Sequence, residues 1–246
     1  MADLPSLAKC VTYALLRANQ ATATTNLAPG GAPLTVQNTP LYEPDCVVID
    51  GTATFTTAES VTAFNHSKIL VFSDAYQTMA TPSVPTIATG GAGSKYMGTT
   101  AGGQYAGVLG AAILYRSGAG GQYDIQASGS NLTRDFPWYF PDGQVRRGRF
   151  AIMGLTSDGV TAKLYLQTGG RVQLLTFPQT APLPTIAASP TLIGSGQSAG
   201  TRWRAAAFAQ FSSALSDAEM FANMAVMSAR VEELGTIDFS AFPKTA

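Results

Sequence analysis

The chain has 246 residues, with 15 Lys and Arg balanced by 15 Asp and Glu; 12% of it is charged and 46% is hydrophobic. So balanced a surface offers no general pull on nucleic acid or an anionic membrane, and no run approaches the ~18 apolar residues of a membrane span. The length suits one large all-β domain or two small ones, and the low charge suits an extracellular or virion protein, or a subunit that buries its surface in an assembly.

Leu7, Val11, Ala14, Leu15 and Ala18 fall at helical spacing, and Pro5 and Ser6 fit a first turn, which predicts an amphipathic helix over residues 4–19. Polar residues interrupt this stretch and no basic start precedes it, so it does not read as a signal peptide. The expected location is a virion, assembled from protein made in a host cytoplasm. Residues 21–44 are rich in Thr, Ala, Pro and Gly and read as an extended arm. Two units follow: residues 1–44, a helix and arm for docking or oligomerisation, and residues 45–246, the main domain. Cys10 and Cys46 are the only cysteines; they lack C-x-x-C spacing and His66 is the only histidine, which argues against zinc. Whether the two cysteines pair is left open. His66 itself reads as a loop residue.

Beyond residue 45 the chain is a series of short β runs. A strand from Cys46 turns at Asp50-Gly51, and residues 68–80 follow with Ile69 and Val71 on one face. Residues 81–103, with many Gly, Pro and Thr, read as a long surface loop or an irregular edge. Residues 105–117 and 121–129 form two strands, and Arg146–Arg149 a solvated basic loop. Residues 150–156, 161–167 and 172–177 alternate most clearly, with a hairpin turn at Ser157-Asp158-Gly159. Strands at 190–196 and 202–211 complete a pattern that argues for an antiparallel sandwich. Ser216 and Glu219 then form an S-x-x-E capping box, with Leu215 and Met220 at the staple positions and Asp217 and Glu219 at the positive end of a helix. Met220, Phe221, Met224, Met227, Val231 and Leu234 continue an apolar face to Gly235, placed as the C′ residue, so a helix is expected over 217–234.

Four pieces in order carry a resemblance: Asp50-Gly51; "FAIMGLTSDGVTAKLYLQTGG" from Phe150; Ile193-Gly194; and "ALSDAEM" at 214–220. Together they resemble the concanavalin A-like lectin/glucanase family in its laminin-G-like form, over about residues 46–225. The resemblance implies an all-β fold, an antiparallel jelly-roll sandwich, here flanked by the N-terminal helix and arm and the C-terminal helix. Three features depart from the family. The last strand, "RWRAAAFAQF", lacks the acidic residue often found there. Phe150 stands where a tryptophan is usual, and the final helix is longer than usual.

Glycoside hydrolases of this fold use E-x-D-x-x-E on a strand. The nearest match, "EPDCVV" at Glu43, lacks a second glutamate and has Pro44 within it. Asp74, Asp124, Asp135 and Asp158 are scattered singly, Asp158 as a turn residue, so no calcium loop is assigned and no metal or cofactor is expected. "FPWYF" at 136–140 is the sharpest binding candidate: Trp138 and Tyr139, beside Asp135 and Asp142, could stack on a sugar ring. The plainer reading makes it a core plug or a subunit contact, and Trp203 packing. Leu7, Val11 and Leu15 are expected to pair with Met220 and Met224, in the same chain or another, as the docking surface. The expectation is a non-enzymatic structural subunit of a virion, such as a phage head-decoration, fibre or tail-associated protein. Its partners would be copies of itself and other virion proteins. The alternative is a carbohydrate-binding module for a cell-surface glycan; a hydrolase lacks its carboxylates.

Overall fold

The computed structural model describes residues 3–50, 53–61, 65–73, 95–99, 111–116, 122–127, 133–137, 150–168, 171–178, 189–194 and 202–234. In chain order the elements are β1 (Cys10–Leu15), α1 (Gln20–Thr24), β2 (Thr35–Gln37), β3 (Leu41–Tyr42), β4 (Val47–Asp50), β5 (Thr54–Val61), β6 (His66–Ser73), β7 (Lys95–Thr99), β8 (Ala111–Arg116), β9 (Gln122–Ala127), β10 (Thr133–Pro137), β11 (Phe150–Ser157), β12 (Thr161–Thr168), β13 (Arg171–Pro178), β14 (Ser189–Gly194), β15 (Arg202–Phe211) and α2 (Asp217–Leu234). The chain is mostly β, with antiparallel sheets and a C-terminal helix. One sheet runs β13-β12-β11-β6-β15-β4-β3 with β1 also on β15, a second β2-β5-β14-β7, and a third β10-β9-β8.

The hairpin β11–β12 forms where the alternation is clearest. Asp158 Oδ1 accepts from the N–H groups of Val160 (2.8 Å) and Thr161 (2.6 Å), and Gly159 takes the left-handed conformation at φ 87. Only a residue without Cβ adopts that conformation without strain. Within residues 81–103 the irregular edge is the form taken at Lys95–Thr99: β7 ends the second sheet and pairs with β14 across a register shift. His66 is not a loop residue. It opens β6 and is fully buried.

The N-terminal helix expected over 4–19 does not form. A 3-10 turn at Leu7–Lys9 leads into β1, which pairs antiparallel with β15 from Leu15↔Ala207 to Cys10↔Phe211. Five of the six β1 residues are buried. A strand buried on both faces shows a continuous apolar run, which periodicity alone cannot separate from a helix. Val11, Thr12 and Tyr13 are β-branched or aromatic and favour the strand, and the open edge of β15 supplies partners that an isolated helix lacks. β6 occupies one edge of β15 from Arg204 to Phe211, while β4 (opposite residues 202–205) and β1 (opposite 207–211) share the other. The outer edge of β1 is capped in turn: Tyr13 N–H donates to Asn26 Oδ1 (2.9 Å) and Asn26 Nδ2 donates to Val11 O (3.0 Å). A side-chain amide thus stands where a further strand would pair. Residues 35–37 pair with β5, and 41–42 with β4, so residues 10–42 supply strands to two of the sheets.

Alternate residues of β6 face opposite ways. Ser67, Ile69 and Val71 face α2; Ser67 Oγ accepts from Leu215 N–H at 2.8 Å. His66, Lys68, Leu70 and Phe72 face the second sheet. The two sheets are tied by side chains: Gln210 on β15 bonds Thr191 Oγ1 on β14, and its Nε2 donates to Glu59 O on β5 (3.1 Å). The β14–β5 register slips between Pro190 and Leu192, and Thr57 Oγ1 accepts the Thr191 N–H (2.9 Å) at that irregularity. A bulged amide buried between sheets needs such an acceptor.

α2 spans Asp217–Leu234 as its local signals predict. Ser216 N–H donates to Glu219 Oε2 (2.8 Å) and Glu219 N–H to Ser216 Oγ (3.3 Å), the reciprocal pair of a capping box. Its Met220, Met224, Met227 and Val231 are buried in one cluster with Ile69, Ile152 and Phe211. Gly154 on β11 permits the approach, since a Cβ there would lie 2.8 Å from Met220 Sδ. The helix is long because it crosses the sheet from β12, through β11, towards the N-terminal turn. Tyr165 OH and Lys163 Nζ each donate to Asp217 Oδ1 at 2.6 Å at its start. Asn223 Nδ2 donates to Ser6 Oγ (2.8 Å) further along.

Candidate functional site

Of the four residues expected at a sugar site, Trp138, Tyr139 and Asp142 lie outside the described residues. Asp135 lies in β10, its backbone opposite Asp124 of β9. The docking residues are placed within the chain: Leu15, Met220 and Met224 are buried, Val11 is half-buried, and Leu7 packs against the cluster beneath α2. The N-terminal segment and the helix do meet, through Ser6 and Asn223 and through the Lys9–Glu219 ion pair (2.5 Å). They meet as turn on helix rather than helix on helix, and in this chain.

The described residues gather one further group of ionisable side chains, at the turn between β3 and β4. Pro44 and Asp45 form the turn, closed by Glu43 N–H donating to Cys46 O at 2.9 Å. The residues after β1 lie against it: Ala18 N–H donates to Glu43 O (2.6 Å) and the Arg17 guanidinium to Pro44 O (3.2 Å). Cys46 Sγ donates to Glu43 Oε2 (3.1 Å), and Arg204 Nε of β15 lies 3.5 Å from the same oxygen. Ligand atoms of Glu43, Asp45 and Cys46 all fall within 4.8 Å of one another.

The chemistry of this group is that of a lock. Burial, with the Glu43 carboxylate beside it, pushes the Cys46 thiol far above its ordinary range. A thiol held protonated is neither a nucleophile nor a good metal ligand. A cation held by Glu43 would also face the Arg204 guanidinium. Glu43, the nearest match to the hydrolase motif, is thus committed to Cys46 and Arg204, and Pro44 separates β3 from β4. Cys10 is likewise buried, its thiol pushed up to about 12 mainly by desolvation, and both cysteines are free.

Sequence reading missed this corner and one buried cation, Lys68. Arg204 is 161 positions from Glu43, so no local spacing joins them. Lys68 sits mid-strand with no exposure. Its only signal was a lysine ahead of an unbroken apolar run in "KILVF".

No family model matches the chain, and no curated protein matches it in sequence. Solved structures do match in fold. The Trypanosoma rangeli sialidase in complex with sialic acid superposes with a TM-score of 0.62 at 13% identity, over 92% of this chain and 34% of that one. The receptor binding domain of botulinum neurotoxin C/D mosaic serotype gives 0.57 at 10%, over 92% and 52%. The botulinum neurotoxin serotype D binding domain gives 0.58 at 12%, over 92% and 52%. The chain therefore spans about a third to a half of the proteins it resembles. At such identities the likeness is one of fold, that of a β-sandwich.

Proposed function

We propose that this chain is a non-enzymatic structural subunit of a virion, built on a jelly-roll sandwich of the concanavalin A-like kind, as a phage head-decoration, fibre or tail-associated protein. One observation carries the reading: a lectin-like sandwich with 12% charged residues and no net charge. A surface so weakly hydrated favours burial against neighbouring subunits. The nearest hydrolase motif supports the non-enzymatic part, since Glu43 is held by a thiol and Arg204. Light scattering at native concentration tests the assembly role: a closed oligomer of fixed mass is expected, and a monomer at every concentration overturns it.

A second reading is favoured by the binding domains among the similar structures. In it the sandwich recognises a surface glycan through Trp138 and Tyr139, with Asp135 and Asp142 beside them. A glycan array probed with wild type and Trp138→Ala checks it. Binding by wild type that the variant loses supports the reading, and no binding by wild type ends it.

A further inference from the structure

β1 pairs with β15 along one edge. Its residues, Cys10–Leu15, carry no charge, no proline and no glycine. A strand of that composition is a template for a further strand wherever its outer edge is open. Among the described residues no strand pairs that edge. Residues 26 and 27 take its main-chain groups instead. Tyr13 N–H donates to Asn26 Oδ1 (2.9 Å), Asn26 Nδ2 donates to Val11 O (3.0 Å), and Leu27 N–H donates to Tyr13 O (2.6 Å). A side-chain amide carries the same donor and acceptor as a peptide group. It therefore satisfies the edge as a strand would, but it offers no second edge from which a sheet could continue.

The amide is held from behind as well. Asn26 Oδ1 also accepts from Ala28 N–H (3.0 Å), and Asn26 Nδ2 also donates to Ala32 O (3.1 Å), so both its lone pairs and both its protons are used. The turn that carries it is closed by Gly31 N–H donating to Ala28 O (3.0 Å) and tied to β5 by Ala32 N–H donating to Glu59 Oε1 (3.1 Å). Ala28 and Leu34 anchor it by burial. Gly31 is the residue that leaves the amide its place, because a Cβ there would overlap Asn26 Nδ2.

We propose that the Asn26 turn is a plug on the sheet edge: it excludes β1 of a second copy of this chain, and so confines any association to other surfaces. The excluded partner is a second copy because two identical strands pair antiparallel about a two-fold axis, each supplying the groups that the other lacks. An uncharged strand has no like charges to oppose that pairing. The inference is independent of the assembly role proposed above, since each variant is compared with wild type at the same concentration, whatever mass wild type has.

Two variants remove the plug by different routes. Asn26→Ala deletes the amide; Gly31→Ala leaves it intact and displaces it. Light scattering after gel filtration, over a series of concentrations, is expected to show the molar mass of both variants rising to about twice that of wild type, with a native circular dichroism spectrum. Hydrogen exchange identifies the edge. The Tyr13 amide should exchange faster than in wild type when the variants are dilute, and slow again as concentration rises. Folded variants that keep the wild-type mass at every concentration would overturn the proposal. So would growth in mass that leaves the Tyr13 amide unprotected, because another surface would then be pairing. Loss of the native spectrum in both variants also ends it, since the turn would then serve folding rather than guard an edge.

Discussion

Replacing Gly154 by valine tests how α2 is seated. A Cβ at this position meets Met220 Sδ at 2.8 Å and Met224 Sδ at 3.3 Å, where ordinary contact begins at 3.4 Å. The nearer sulfur must therefore retreat by about 0.6 Å before the two γ-methyls are added. Met220 and Met224 have no exposure and little room to move. Overpacking of this kind costs about 1–3 kcal/mol. The gain from removing a strand glycine, about 0.5–1 kcal/mol, offsets part of it. A net loss of about 1 kcal/mol is expected, a fall in Tm of roughly 2–4 °C for a chain of this size. In denaturant the midpoint should drop with the m-value unchanged. Met220→Ala alone should cost about 2–5 kcal/mol through its cavity. In the double variant the valine fills part of that cavity, so the two losses should sum to less than their separate values by 1 kcal/mol or more. Additivity within about 0.5 kcal/mol would refute the contact, as would an unchanged midpoint in Gly154→Val.

Deleting residues 1–15 should abolish a folded monomer, because it strips β1 from half of one edge of β15 and removes Leu4, Tyr13 and Leu15 from the cluster under α2; circular dichroism and gel filtration would show it, and a cooperative native-like product would contradict it. Ser216→Ala should cost about 1 kcal/mol by opening the capping box, read from thermal unfolding. On acidification, Glu219 is held down to about 2, chiefly by Lys9, and Asp217 is held below its ordinary value by Lys163 and Tyr165. Both carboxyls are depressed, so their contribution is present above about pH 4.5 and fades as pH falls towards 2. The pairs are largely exposed and screened by salt. Asp217→Asn/Glu219→Gln should flatten the acid limb of a stability profile at low ionic strength, and an unaltered limb would count against these pairs. Native Cys10 and Cys46 should resist a thiol reagent at pH 8 that modifies both in denaturant; prompt native reaction would contradict their burial.

Elements stabilised by their own neighbours in sequence were legible. α2 carries its start signal in Ser216, Asp217 and Glu219, and the β11–β12 hairpin carries its turn in Asp158-Gly159; those groups bond within three residues of themselves. The N-terminus was misread because β1 has no such local signal. Leu7, Val11 and Leu15 fit a helical spacing, but Cys10–Leu15 is buried on both faces and owes its conformation to β15, some 195 positions away. Glu43 was found as a motif fragment, whereas the pairing that defines its chemistry comes from Arg204.

Composition and local patterning by themselves determined that this is a sparsely charged, mostly β chain with one well-capped helix near its end. They did so because charge balance, strand alternation and helix caps are properties of residues a few positions apart. Tertiary structure alone decided that the first strand belongs to the sheet, that the methionine face is covered within the chain, that Glu43 meets Cys46 and Arg204, and that Lys68 is buried. Each of these depends on which strands become neighbours, and a buried environment is made by partners distant in sequence rather than by the residue that occupies it.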